Sequence, residues 1–328
     1  MTNDSHSNER AQPAAPSAGV RIEWDDVPAR VRAEIERRAG GRVMRTESKS
    51  GGFSPGLASV LHLDDGSTLF VKAVGPEINP DSPDFLRKEE KIAPLLPVDA
   101  PVSRFRWSFD EGPGGWVVLA FDVVDGRTPR SPWDAAELDL VTDAMIRLAE
   151  SLTPSPVTAE MIGRTDSSWK MFNQEKWTAI RNEFPGALDE WAANNIERLI
   201  DLERQAATLS NGDTLIHVDL RGDNMLITDA GVVIVDWPHA QVGAAWIDPL
   251  VMAPSVTLEG GPDPESFLQR FPAARSADPV ALDAFLAMVT AFFLHNGALP
   301  DPPGLPTLRA FQRAQGEVSL NWLKARTG

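Results

Sequence analysis

His217-Val-Asp219-Leu-Arg221-Gly-Asp-Asn224 is followed closely by Val232-Val-Ile-Val-Asp236-Trp-Pro238. These two pieces decide how the chain is read. An apolar strand over 214–218 leads into the first, and 225–228 and 232–235 read as a short hairpin whose second strand ends on Asp236. Asp and Asn are common turn formers. A turn, however, does not require two carboxylates and an amide to be set at the ends of successive apolar strands. Chemistry gives that pattern a use. A carboxylate at Asp219 can orient a hydroxyl and take its proton. The oxygens of Asn224 and Asp236 are hard donors of the kind that Mg²⁺ prefers.

The His-x-Asp-x-x-x-x-Asn spacing is that of a kinase catalytic loop. Asp219 is then the expected catalytic base, Asn224 and Asp236 the metal ligands, and His217 a brace for the loop backbone. Arg221 stands two residues after Asp219, so an extended loop turns both side chains the same way. It is expected either to stabilise charge on the phosphoryl group or to hold the loop by an ion pair with Asp223 or Asp248.

Upstream, Lys72 in Phe70-Val-Lys72-Ala sits in an apolar strand like the phosphate-binding lysine of kinases. Burying it requires a partner. Glu89 is expected, because it shares a helix face with Phe85, Ile92 and Leu96, whereas Glu90 points roughly 100° away. Ser50-Gly51-Gly52-Phe-Ser54-Pro-Gly56 lies between the first two strands, where Ser50, Gly51 and Gly52 could bring backbone amides onto phosphate. It matches neither Gly-x-Gly-x-x-Gly nor the P-loop, and an ordinary turn is the competing reading.

The remaining pattern places these pieces. Residues 1–20 read as a polar, disordered tail. Val27, Val31 and Ile35 mark a helix ended by Gly40-Gly41. Leu57–Leu63 and Thr68–Val74 flank Asp64-Asp65-Gly66-Ser67 as a hairpin. A helix over 83–96 and strands over 102–108 and 116–121 follow. Beyond Asp125-Gly126 the chain reads as helices over 133–152, 187–209, 245–256, 279–295 and 305–325. Trp169, Phe172 and Trp177 are expected as packing anchors. The fold class is α+β: a protein-kinase-like two-lobed fold, with a small antiparallel β-sheet lobe carrying one main helix and a larger, mainly α-helical lobe. The expected division is a lobe over 21–121 and a second over 122–328.

At these residues the chain resembles the aminoglycoside phosphotransferase family, related in fold to choline kinases and protein kinases. The resemblance runs over 27–264 and is strongest over 215–248, through Val235-Asp-Trp-Pro-His-Ala240 and Gly243-Ala-Ala-Trp-Ile-Asp248. It implies nucleotide (ATP or GTP) in the cleft and Mg²⁺ on Asn224 and Asp236. It also implies that the connector residues Ala120, Phe121, Asp122 and Val123 read the base with their backbone. The Asp-Phe-Gly of kinases is Asp236-Trp-Pro here, no Ala-Pro-Glu follows, and the short interval to Asp248 leaves little room for an activation loop. Small-molecule acceptors are therefore expected rather than proteins.

Charge and composition exclude other classes. Thirty-one Lys and Arg against 47 Asp and Glu give −16, a poor footprint for nucleic-acid binding. The acidity either favours a cationic acceptor or keeps the chain soluble. The absence of cysteine removes disulfides and thiolate chemistry. No run of about eighteen apolar residues and no basic-then-apolar start are found, so a cytoplasmic enzyme with no membrane partner is expected. Three functions fit: a kinase for amino-bearing or sugar-like acceptors, a housekeeping kinase for choline or another metabolite, and a binding protein that has lost turnover. The last predicts loss of Lys72, Asp219, Asn224 or Asp236, and all four are present.

Overall fold

The computed structural model describes residues 21–49, 55–162, 175–302 and 305–328. Ser50, Gly51 and Gly52, the 1–20 tail, Trp169 and Phe172 lie outside the described residues.

The N-terminal part begins with α1 (Ala29–Ala39), where Val31 and Ile35 are buried one turn apart and Gly40 ends the helix at φ 82°. Then come β1 (Val43–Ser48), β2 (Leu57–Leu63), β3 (Thr68–Val74), α2 (Ser82–Ile92), β4 (Phe105–Asp110) and β5 (Val117–Phe121). The five strands form one antiparallel sheet in the order β1-β2-β3-β5-β4. Side-chain alternation divides its faces. Val71 and Ala73 join Leu57, Leu61, Trp116 and Val118 in a core with Val31 and Ile35 of α1. Phe70, Val74, Val117, Leu119 and Phe121 pack with Leu86 of α2. Lys72 lies between Phe70 and Val74 on that second face, so the pleat itself aims it towards α2.

The C-terminal part is mostly helical. In chain order it contains α3 (Ala135–Ser151), α4 (Ala159–Ile162), α5 (Lys176–Glu183), α6 (Glu190–Asn194), α7 (Ile196–Leu209) and β6 (Thr214–Ile216). Next are β7 (Met225–Thr228), β8 (Gly231–Ile234), β9 (Gln241–Gly243), α8 (Ile247–Leu258), α9 (Pro264–Leu268), α10 (Pro272–Arg275), α11 (Pro279–Ala298) and α12 (Leu308–Thr327). β6 pairs with β9 and β7 with β8, both antiparallel.

Two expectations are corrected. The helix over 187–209 breaks at Asn195, which caps α6 and opens α7, its backbone and side-chain amides both donating to the Trp191 carbonyl, at 3.0 and 2.9 Å. The strand expected over 102–108 forms later, as β4. Its first residues turn towards the other half, where Val102 bridges Ile234 and the Ile234 amide donates to the Pro101 carbonyl at 2.7 Å. The three-residue β9 and the short α9 and α10 were not foreseen. α11 is long and apolar enough by composition to cross a bilayer, but most of it is buried in this fold, against α5, α7 and α12. Trp177 is the anchor expected: fully buried, it donates its indole N–H to the Ala287 carbonyl of α11 at 2.9 Å.

Candidate active site

Lys72 crosses from β3 to Glu89, the partner expected, and also to Asp236. Its Nζ donates to Glu89 Oε1 and Oε2 at 2.8 and 2.9 Å and to Asp236 Oδ1 at 2.7 Å. Glu89 is 1% exposed and Lys72 15%. Glu90 turns the other way and accepts from the Ser108 hydroxyl. Glu89 Oε1 also accepts the Trp237 amide at 3.2 Å, so one carboxylate of α2 grips the lysine and the chain just past Asp236. Burial works to raise the Asp236 carboxyl, but the Lys72 ammonium outweighs it and holds the group at about 2. The same partners raise Lys72 against the opposing effect of burial. Burial and the charge of Asp236 push the Glu89 carboxyl up, against the pull of Lys72.

The loop after β6 is fixed from below. Val218 and Asp236 both adopt left-handed backbone, at φ 71° and 72°, a costly conformation for a β-branched residue in particular. Asp248, in the first turn of α8, accepts the amides of His217 at 2.9 Å and Val218 at 2.7 Å. It is buried, which pushes its carboxyl up, against the pull of His217 and these two amides. His217 is the brace expected: Nε2 meets the Val235 carbonyl at 3.0 Å and Nδ1 the Asp219 amide at 3.3 Å, with its ring edge-on to Trp237. The Nε2–H tautomer satisfies both contacts. Asp219, held in this way, remains 33% exposed at its side chain.

Asn224 follows β6 through a single turn and donates Nδ2 to the Asp219 carbonyl oxygen at 2.8 Å and to Asp219 Oδ2 at 3.3 Å. Its main-chain carbonyl accepts the Val235 amide at 3.1 Å, which sets it beside Asp236. These bonds test the fit of a divalent cation. Asn224 spends its amide nitrogen on the loop and keeps its oxygen. Asp236 gives Oδ1 to Lys72 and retains Oδ2. Two hard oxygens from adjacent strand ends suit Mg²⁺ together with phosphate oxygens and water.

Arg221 makes the structural contacts. Nη2 donates to Asp223 Oδ2 at 2.9 Å, Nε lies 3.7 Å from Asp219 Oδ1, and the guanidinium stacks 5.2 Å from the Phe311 ring of α12. Asp248 is occupied by amides, so the alternative Arg221–Asp248 pair gives way to Asp223. The connector also needs correction. Ala120 and Phe121 are buried in β5, and the chain leaves the sheet only at Asp122. The Asp122 amide donates to the Arg104 carbonyl at 2.8 Å and its carboxylate pairs with Arg106, which leaves Val123 as the first residue free of the sheet.

Sequence reasoning offered Asp248 as an ion-pair partner for Arg221 but missed that it anchors the loop through the His217 and Val218 amides, and missed Phe311 as the loop's cover. Asp248 had one available signal, its position at the start of an apolar helix. Phe311 had none, because the contact spans the C-terminal half.

The sequence profile of the phosphotransferase enzyme family (APH) matches residues 53–285. The chain belongs to this family. No curated protein matches its sequence. Among solved structures, the phosphotransferase chain is similar to amicoumacin kinase hAmiN in complex with AMP-PNP, Ca²⁺ and Ami, at TM-score 0.58 and 12% identity over 91% of this chain and 96% of that one. It is similar to a thermostable mutant of aminoglycoside phosphotransferase APH(4)-Ia with ADP and hygromycin B, at TM-score 0.58 and 15% identity over 91% and 99%. Choline kinase LicA from Streptococcus pneumoniae aligns at TM-score 0.55 and 12% identity over 90% and 100%. These likenesses show the fold: an antiparallel N-terminal sheet and a helical C-terminal part, as in protein-kinase-like aminoglycoside kinases.

Proposed function

We propose that this phosphotransferase moves the terminal phosphate of ATP or GTP to a hydroxyl of a small molecule. The observation that carries the reading is the Lys72–Glu89–Asp236 cluster, which joins sheet, helix and hairpin within 2.9 Å. It brings a phosphate-binding cation to a metal-binding carboxylate. Mg²⁺ on Asn224 and Asp236 would neutralise charge on the phosphates. Asp219 orients the acceptor hydroxyl and takes its proton, and Asn224, bonded to that carboxylate, holds it in place. Lys72 contacts phosphate oxygens while Glu89 fixes its direction.

The surroundings of Asp219 favour an amino-bearing, sugar-like acceptor. Asp223 and Glu259 lie near the loop, the latter against Gly222, and the Phe311 ring adds an apolar face. Structural neighbours that hold hygromycin B and spectinomycin belong to the same fold. A choline kinase does as well, so a metabolite acceptor is the second reading.

Nucleotide consumption by the purified chain with hygromycin B, spectinomycin, choline and a panel of amino sugars tests both. Acceptor-dependent turnover is expected with at least one amino-bearing acceptor. Asp219→Ala is expected to lower it by about 10²–10⁴-fold while nucleotide binding survives. Near-wild-type turnover in Asp219→Ala would overturn the assignment.

A further inference from the structure

Arg21 lies ahead of α1, and nothing in its local sequence marks it as functional. The fold brings it to the cleft. Arg21 and Gly56 form an isolated parallel β-bridge, and the Ile22 amide donates to the Gly56 carbonyl at 3.3 Å. Gly56 adopts φ 114°, and a Cβ there would stand 2.7 Å from the Ala73 carbonyl oxygen. The start of β2 is therefore clamped between the Arg21 segment and the end of β3. Ile22 is buried in the core on the α1 side of the sheet. Successive side chains of an extended segment point oppositely, so Arg21 faces the side that carries Lys72. Its charge is felt there: burial lowers the guanidinium pKa, and attraction to Asp236 opposes that fall.

Charge balance gives this placement a purpose. Lys72 is shared by two acidic groups, Glu89 and Asp236, so a single ammonium already serves two partners. That is a poor receptor for a polyanion. Arg21 adds a second cation close enough to be attracted to Asp236. A guanidinium also matches phosphate with two parallel N–H donors, which an ammonium cannot do.

We propose that Arg21 is a second phosphate-binding cation of this cleft, contacting the nucleotide's phosphates beside Lys72. The proposal rests on the nucleotide-dependent function argued above. Arg21→Met and Arg21→Lys, made in the full chain, test it by calorimetric titration with the magnesium salts of ATP and GTP and with the bare nucleosides, alongside melting temperatures. Arg21→Met is expected to weaken triphosphate binding by about tenfold or more while nucleoside binding and melting stay near wild type. Arg21→Lys should recover part of the loss. Unchanged triphosphate affinity in Arg21→Met would overturn the proposal. So would a parallel loss for nucleoside and triphosphate with lowered melting in both variants, which would make Arg21 a strut for β2. If the wild type binds neither triphosphate, the nucleotide reading fails first and the arginine's role with it.

Discussion

A single arginine separates two meanings of the catalytic loop. Arg221 is 12% exposed, paired with Asp223, close to Asp219 and covered by Phe311. Every one of those contacts reaches Asp219 or holds the loop. Arg221→Met should therefore lower stability by about 1–3 kcal/mol, the cost of leaving charged partners unsatisfied. Turnover should fall about tenfold at 37 °C and recover towards wild type on cooling, with nucleotide KM little changed. Melting curves and steady-state kinetics at two temperatures check this. A large loss of turnover at an unchanged melting temperature would return Arg221 to the phosphate. Lys72, Asp219, Asn224 and Asp236 could be picked out in the sequence because the proposed chemistry ties residue type to spacing. Asp248 as the loop's anchor could not, because its bonds to His217 and Val218 depend on a helix folding back beneath the loop.

Elements were legible where periodicity was long enough to read. The β2–β3 hairpin and α2 follow from alternation and from Leu86, Glu89 and Ile92 sharing one buried face. The break between α6 and α7 was hidden because it falls at a single residue, Asn195, and β9 is too short to show a period. The end of α8 carries a consequence for pH. Glu259 follows that helix, its carbonyl accepts the Trp133 amide at 3.0 Å, and its carboxyl stands against Gly222. Burial and the charge of Asp223 push the carboxyl from 4.5 up to about 7, with the Trp133 indole opposing. The folded chain thus holds a proton that the unfolded chain releases at lower pH. Glu259 is least costly below about 4.5, and stability is lost as pH rises from there to about 7. Glu259→Gln should melt higher than wild type at pH 8 and level with it below pH 5. Equal melting at pH 8 would show that Asp223 and burial do not burden the folded state.

Across the whole molecule, the helical half is organised around α11, which α5, α7 and α12 surround. Trp177 fastens α5 to it through the Ala287 carbonyl, an acceptor that also serves its own helix. Trp177→Phe keeps a ring in the core and removes the donor, so it should cost about 1 kcal/mol, seen as a lower urea midpoint with an unchanged slope. A shift several times larger would mean that the indole's volume matters more than its N–H. The two-part outline was legible from the change of pattern after Asp125-Gly126. The stitching between the parts was not, because Val102 against Ile234 and Lys72 against Asp236 join residues far apart in the chain.

The Lys72–Asp236 bond also behaves as a latch. The lysine is already engaged, so on the proposed function nucleotide binding would be an exchange of partners: phosphate would have to draw Lys72 away from the carboxylate that a cation would claim. The free energy of the latch would be subtracted from the affinity for nucleotide, and a metal ion held by Asp236 would offset it. In Asp236→Asn the latch is weakened and the charge that repels phosphate is gone. This variant should bind metal-free ATP more tightly than wild type, in calorimetry with a chelator present, while losing turnover. Weaker metal-free binding in Asp236→Asn would mean that the lysine is as available to phosphate with its partner in place as without it.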